Sequence, residues 1–99
     1  MNIEKKKFGN VELLVKPFGR IDIDSVVQFE NEVNSELEDI KYLTIDLSEV
    51  NYISSVGLRA ILAFQKKMST KGEMKIVNVR PEVLEIFKAV GFVNFLSII

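Results

Sequence analysis

Two adjacent serines, Ser54 and Ser55, place hydroxyl groups at the predicted start of a helix. The helix follows a buried strand and a loop, and Gly57 comes two residues after the second serine. The first N–H groups of a helix lack partners within it and carry partial positive charge. A serine there either caps the helix or holds a hydroxyl where an added phosphate would be stabilised. The residues alone favour the cap and leave the phosphate acceptor open.

Two carboxylates, Asp22 and Asp46, are predicted to lie near these serines. Asp46 alternates with the apolar residues of a strand, and Asp22 ends an earlier strand and turn. Sites of α/β sheets favour the edge beyond the carboxyl ends of the strands. Carboxylates at that edge could orient a serine hydroxyl or a metal ion bound to a kinase. A small enzyme with Asp22 and Asp46 as an acid–base pair is the weakest alternative, because the chain has no His, no Cys and no glycine-rich phosphate loop.

Gly57 lies in the predicted first turn of the same helix. Because glycine has no side chain, another backbone or group can approach it closely. We expect a side chain at this position to interfere with a docked partner or its nucleotide. On this expectation, Gly57→Val would weaken partner binding and change the free energy of unfolding only slightly.

The composition is that of one ordinary domain, with no sign of nucleic-acid or membrane binding. The 99 residues include 13 basic and 14 acidic side chains, for a net charge of −1. Lys5–Lys7 is expected to be solvated charge at a sheet edge. No apolar run reaches the ~20 residues that span a bilayer and no secretion signal is visible, so a cytoplasmic location is expected. Without His or Cys the chain can form neither a Ser-His-Asp triad nor a disulfide, and no metal or cofactor site is expected.

The hydrophobic pattern predicts elements in the order β-β-α-β-α-β-α-β. Gly9-Asn10 suits a hairpin turn, and Gly72 is placed for a left-handed residue after the second helix. Because helices alternate with the later strands, we expect one α/β domain over 1–99, with a mixed, mostly parallel β-sheet and helices packed on one side. The predicted strands are 3–8, 11–18, 42–47, 73–77 and 95–99. The first predicted helix runs from a cap at Asp24 or Ser25 to about Leu37, and the other two run from 55 to 70 and from 81 to 90.

Several of these segments resemble the STAS domain family of anti-sigma factor antagonists. Asp46–Val50 followed by Tyr52–Arg59 resembles the central motif of that family, and Gly19–Asp22 resembles its upstream turn. Gly72–Val77 and Phe87–Phe92 resemble its fourth strand and third helix. The resemblance covers nearly the whole chain with similar spacing, and it implies a STAS-like fold.

The resemblance also implies a modification site. In that family the serine two residues before the glycine is phosphorylated, and this position is Ser55 here. The two frequent acidic positions of the family match Asp22 and Asp46. Two positions depart from the family pattern: many members have Asp where this chain has Ser54, and many have Ser or Thr where it has Val56. A regulatory binding module, not an enzyme, is implied. Its partners would be an anti-sigma factor serine kinase, which phosphorylates Ser55, and a phosphatase of the PP2C type, which resets the switch.

The implied partner-binding surface is the start of the second helix together with the two aspartates. Phe64 lies off the apolar stripe of that helix, so it is either at the margin of the core or an anchor for the partner. A rival function for the same fold is a STAS-like accessory subunit of a transport or lipid-trafficking complex, in which the serine is only a cap. The candidate binding residues are Asp22, Asp46, Ser54, Ser55, Val56, Gly57, Leu58, Arg59 and Phe64.

Overall fold

Residues 1–91 and 96–99 are described in a computed structural model of the chain. In this part of the chain, strands and helices follow the order β-β-β-α-β-β-α-β-α. The strands are β1 (Ile3–Phe8), β2 (Glu12–Pro17), β3 (Gly19–Ile21), β4 (Tyr42–Asp46), β5 (Val50–Ile53) and β6 (Glu73–Val77). The helices are α1 (Val26–Asn34), α2 (Ser55–Ser69) and α3 (Pro81–Ala89).

The main sheet has the strand order β1-β2-β4-β6. β1 pairs antiparallel with β2 across a turn at residues 9–11, and β2, β4 and β6 run parallel to one another. Side chains of β4 alternate between two faces, with Leu43 and Ile45 buried and Thr44 partly exposed. A period of two is what a strand with one covered face requires. The mixed, mostly parallel α/β fold is therefore confirmed.

The helices share one hydrophobic core with the buried face of this sheet. Val26, Phe29 and Val33 of α1 are buried at helical spacing. Phe29 meets Phe64 of α2 edge to face, with ring centroids 5.4 Å apart. Phe64 is 1% exposed, so it belongs to the core, and the alternative that it anchors a partner is wrong. An aromatic side chain of this size contributes more to stability inside the core than at its margin.

α1 ends three residues earlier than the hydrophobic pattern predicts. Its last α-helical residue is Asn34, yet Leu37 is buried. Beyond the helix, the Glu36 N–H donates to the Val33 carbonyl at 3.0 Å and the Leu37 N–H to the Asn34 carbonyl at 3.4 Å. These bonds join residues three apart, as in the tightened last turn of many helices. Leu37 thus reaches the core from a turn that is not α-helical.

Two short strands, β3 and β5, are absent from the predicted order. They pair in parallel as a separate two-stranded sheet, with Ile21 opposite Ile53. Strands of three and four residues are too short for a period of two to stand out in a sequence. The predicted strand 95–99 is reduced, within the described residues, to a bridge between Ile76 and Ile98. Residues 92–95, which include Phe92 of the resembling segment and the predicted start of that strand, lie outside the described residues.

Gly72 follows α2 for a different reason than the sequence predicts. Its φ is not positive, so the prediction of a left-handed residue is wrong. A Cβ atom at this position would lie 1.8 Å from the carbonyl oxygen of Lys41. That same carbonyl accepts the N–H of Glu73 at 2.8 Å, where the pairing of β4 with β6 begins. Residue 72 is a glycine because two backbones meet there.

Gly72→Ala is expected to lower the free energy of unfolding by about 3 kcal/mol or more, because the methyl group would displace a strand end. Gly9→Ala is the matched control: Gly9 has a φ of +60° but no atom within 4 Å of its Cβ position, so only backbone strain acts. The control should lose about 1 kcal/mol. Urea unfolding followed by circular dichroism measures both, and equal losses would contradict the steric explanation.

Candidate functional site

Ser54 forms the hydrogen-bonded cap at the start of α2. Its backbone is extended, with φ −88° and ψ 175°, and its hydroxyl oxygen accepts the Gly57 N–H at 3.4 Å. Its carbonyl accepts the Leu58 N–H at 2.9 Å, which is the first bond of the helix. Its own N–H donates to the Ile21 carbonyl at 2.9 Å, which ties the helix start to the end of β3. The cap that the sequence predicts at one of the two serines is therefore Ser54.

Ser55 is the first helical residue, and its side chain is exposed. In residues 1–91 and 96–99 its hydroxyl makes no hydrogen bond, because the capping role belongs to its neighbour. The first turn of α2 contains no acidic side chain. A phosphate added to this hydroxyl would therefore lie beside unpaired N–H groups and partial positive charge.

Asp22 lies beside the serine pair because its neighbour Ile21 accepts the Ser54 N–H. A turn of hydrogen bonds holds the carboxylate in place. One oxygen accepts the Asp24 N–H at 3.0 Å, and the Ser25 hydroxyl accepts the N–H of Asp22 at 3.0 Å. The same hydroxyl donates to the Arg20 carbonyl at 2.7 Å, so the turn leading into α1 is closed on itself.

The charge of Asp22 is stabilised within this turn. Partial desolvation by itself would raise the pKa of the carboxyl, but the Asp24 N–H and the Arg20 guanidinium outweigh it, so the pKa of Asp22 is lowered. Arg20 Nε lies 3.3 Å from the carboxylate, and the guanidinium carbon lies 4.2 Å from the centre of the Tyr52 ring. An ion pair and a cation–π contact therefore lie on the strands that precede the serines.

Asp46 has a structural role in the loop between β4 and β5. One of its oxygens accepts the Ser48 N–H at 2.9 Å. Desolvation would raise the pKa of Asp46, but Ser48, the nearby Asn78 side chain and the charge of Lys16 outweigh it, so the pKa is lowered. Arg80 fixes the same loop by donating to the Ser48 carbonyl at 2.7 Å. The hydrogen bond described for Asp46 therefore holds a loop and does not reach the serine pair.

Of the other predicted binding residues, Gly57 and Leu58 face the inside of the protein, as Phe64 does. Gly57 and Leu58 are buried, Val56 is partly exposed and Arg59 is exposed. A Cβ atom at residue 57 would lie 2.7 Å from Cγ1 of Ile53 and 2.8 Å from Cγ2 of Ile21. The expectation that a side chain at residue 57 would meet a partner is therefore wrong, because it would meet the protein's own strands first.

Arg20 and Tyr52 are neighbours of the site that the sequence patterns did not indicate. Arg20 belongs to β3 and Tyr52 to β5, and the parallel register places them opposite each other. The only signal of this contact in the sequence is a cationic residue in one segment and an aromatic residue in the other. Their contact could have been inferred only if both short strands and their pairing had been recognised.

Among residues 1–91 and 96–99, no group of three or more His, Cys, Asp or Glu side chains is arranged to hold a metal ion. None of the helices in these two ranges is both long and apolar enough to cross a membrane. The side chains at the candidate site are hydroxyls, a carboxylate and guanidinium groups, which bind through hydrogen bonds and charge.

The role of Asp46 predicts a specific pH dependence of stability. A carboxyl whose pKa is lowered by folding stabilises the protein above the ordinary pKa of about 4, and this contribution is lost as the pH falls through the lowered pKa. Asp46→Asn keeps an acceptor for the Ser48 N–H and removes the charge. We expect a loss of about 1 kcal/mol at pH 7 and a smaller loss at pH 2.5, both measured by urea unfolding. An equal loss at both pH values would contradict the charge-dependent role.

Gly57→Ala is expected to lower the free energy of unfolding by about 1–3 kcal/mol, because the methyl group would overlap Ile21 and Ile53. The steric cost must outweigh the gain of about 1 kcal/mol that Gly→Ala otherwise brings inside a helix. Ser55→Ala in the same turn adds no contact and should change stability by less than about 0.5 kcal/mol. Thermal unfolding measures both, and a stabilised Gly57→Ala would contradict the packing.

Comparisons with known proteins identify relatives of this chain and of its fold. A curated protein of Bordetella bronchiseptica, BtrV, which is named as an anti-sigma factor antagonist, is 28% identical over 82 residues, 81% of this chain and 71% of that protein. An anti-sigma factor antagonist from Mycobacterium paratuberculosis is 21% identical, with a TM-score of 0.88 over 98% of this chain and 83% of that one.

SpoIIAA, described as a Bacillus cell fate determinant and an anti-sigma factor antagonist, is similar in two solved forms. The unphosphorylated form is 14% identical, with a TM-score of 0.84 over 99% of this chain and 88% of that one. The phosphorylated form is 13% identical, with a TM-score of 0.75 over 99% of this chain and 91% of that one. These structural likenesses show the fold. The family model described as STAS domain matches residues 2–99, and the chain therefore belongs to the STAS domain family.

Proposed function

We propose that this protein is an anti-sigma factor antagonist that is switched off by phosphorylation of Ser55. The observation that carries the proposal is the division of the serine pair: Ser54 caps α2, and the hydroxyl of Ser55 is left exposed at the helix start. The names of BtrV and of the structural relatives support the regulatory role. The phosphorylated form of SpoIIAA shows that a protein of this fold can carry the modification.

In the proposed cycle, the unmodified protein binds an anti-sigma factor of the serine-kinase type, and the sigma factor is released to RNA polymerase. The kinase then transfers a phosphoryl group from ATP to Ser55. A bond forms between the serine Oγ and the γ-phosphorus, the bond from that phosphorus to the bridging oxygen breaks, the hydroxyl proton is lost, and ADP leaves. A phosphatase of the PP2C type hydrolyses the phosphoserine and restores the hydroxyl. The chain is a substrate and a binding module in this cycle, not an enzyme, and it acts in the cytoplasm.

Phosphorylation changes the charge of the surface without breaking the fold. A phosphoserine carries about −1.5 to −2 charges at pH 7. The N–H groups at the start of α2 favour such an anion, so the helix should persist. The ionised carboxylate of Asp22 adds to the negative charge beside it. Bulk and repulsion from acidic groups of the partner would then prevent docking.

The proposed contact surface surrounds Ser55. It includes Ser54, Val56 and Arg59, which are exposed or partly exposed around the helix start, and Asp22, which the β3–β5 pairing brings beside them. Gly57, although buried, acts indirectly because it lets the helix start approach the strands.

The role of Asp46 in recognition is a prediction that rests on the family resemblance. The hydrogen bond that its carboxylate accepts from the Ser48 N–H stabilises a loop. The rival accessory-subunit function needs only the cap, and the exposed hydroxyl of Ser55 favours the phosphorylation switch over it.

Variants of the two serines separate the cap from the switch. Ser55→Ala should bind the kinase as wild type does and accept no phosphate. Ser55→Asp should fold normally, because an acidic residue suits the first helical turn, but bind at least about tenfold more weakly. Ser54→Ala should lose about 1 kcal/mol of stability and still be phosphorylated at Ser55.

Titration calorimetry with the anti-sigma factor serine kinase, and phosphorylation with ATP, measure these outcomes. Phosphate uptake by Ser55→Ala with the same loss of binding would contradict the choice of serine. Equal affinity of wild type and Ser55→Asp would contradict the switch.

A further inference from the structure

Two large aliphatic side chains are exposed where β3 leads into α1. Ile23 is 70% exposed and Val27 is 62% exposed, more than most apolar side chains of the described residues. A helical turn separates them, since the Val26 N–H already donates to the Asp22 carbonyl four residues back. We call Ile23 and Val27 the α1 patch. These two side chains are not part of the hydrophobic core, so burying them against a partner would be favourable.

The α1 patch is held outward by a well-bonded turn. The Asp22 N–H donates to the Ser25 hydroxyl, and the Asp24 N–H donates to the Asp22 carboxylate, both at 3.0 Å. The Ser25 hydroxyl donates in turn to the Arg20 carbonyl at 2.7 Å. A side chain presented by a rigid turn loses little conformational freedom on binding, which favours its use as an anchor.

The α1 patch lies at the same end of the protein as Ser55. The Ser54 N–H donates to the Ile21 carbonyl, two residues before Ile23. The two helices also run in the same direction. Phe29 meets Phe64, and farther along the helices the Lys67 ammonium donates to the Asn34 side chain at 2.7 Å.

We propose that the α1 patch is an apolar docking site for the kinase that phosphorylates Ser55. This inference rests on the proposed function and goes beyond it by naming the anchor residues. A protein whose active site reaches the Ser55 hydroxyl must cover the surface next to it. The α1 patch adjoins that surface, because the Ser54 N–H donates to the carbonyl of buried Ile21 and the partly exposed Asp22 lies between Ile21 and Ile23. This continuity selects the kinase over a second copy of the chain as the occupant.

The surrounding charges indicate the chemistry of the partner surface. Arg20 is already paired with Asp22, with 3.3 Å between Nε and the carboxylate, and it also covers one face of Tyr52. Asp24 is exposed beside Ile23. The partner should therefore offer an apolar depression for Ile23 and Val27, with a basic or hydrogen-bonding group at its rim for Asp24. Apolar burial would supply affinity, and the phosphate on Ser55 would supply the switch.

The test uses variants that remove apolar surface without adding charge. Ile23→Ser and Val27→Ser together should weaken binding to the anti-sigma factor serine kinase by about 10- to 100-fold in titration calorimetry, as expected for the loss of buried anchors. Serine and valine have similar helix propensities, so the melting temperature should change little. Ile23→Leu, which keeps the apolar surface, should bind within about threefold of wild type.

Tyr42→Ser is the matched control. Tyr42 is 48% exposed, and it begins β4, whereas Asp46 at the other end of that strand leads toward β5 and the serines. This variant should bind as wild type does. Unchanged binding of the double serine variant, or equal weakening by Tyr42→Ser, would overturn the assignment while leaving the phosphorylation switch intact.

Sedimentation of the free protein distinguishes the other occupant. A wild-type dimer that the double variant converts to monomers would assign the α1 patch to a second copy and overturn the proposal. Failure of the wild type itself to bind the kinase would overturn the proposed function first, and the docking site with it.

Discussion

The close approach of α2 to β3 and β5 is the constraint on which the candidate site depends. Gly57 permits it, because any Cβ atom there would lie within 3 Å of Ile21 and Ile53. The approach brings the Ser54 N–H to the Ile21 carbonyl, so one contact fixes the first turn of the helix and the turn that follows β3. A helix start that is held this firmly can offer a neighbouring side chain to a partner with little further loss of entropy.

The two serines differ in their surroundings, and the proposed function uses this difference to separate stability from regulation. Ser54 is bonded on both sides, through its hydroxyl and its N–H, and its loss would be felt by the fold. The hydroxyl of Ser55 is exposed and makes no hydrogen bond within the described residues. Phosphorylation of this hydroxyl can therefore change the surface charge without unfolding the helix. The Arg20–Asp22 ion pair lies in the turn that Ile21 links to the serine pair.

The long elements could be predicted from the sequence because each has a clear period. The alternation in β4 and the apolar stripe of α1 lead to the right element types and to the right parallel arrangement. β3 and β5 could not be predicted in this way, since three or four residues carry too little pattern. The missing strands β3 and β5 limited the prediction of the site more than that of the fold. Its serines and Asp22 were found from type and spacing, but the inward direction of Gly57 depends on a strand pairing that only the structure reveals.

The central claim is that the two serines have different roles, and locating the phosphate tests it most directly. The wild-type protein would be incubated with the anti-sigma factor serine kinase and ATP, digested, and sequenced by fragmentation in a mass spectrometer. We expect phosphate on Ser55 alone, because that hydroxyl is exposed and makes no capping bond. Phosphate on Ser54, or no phosphate on either residue under conditions in which the kinase binds the protein, would contradict the account.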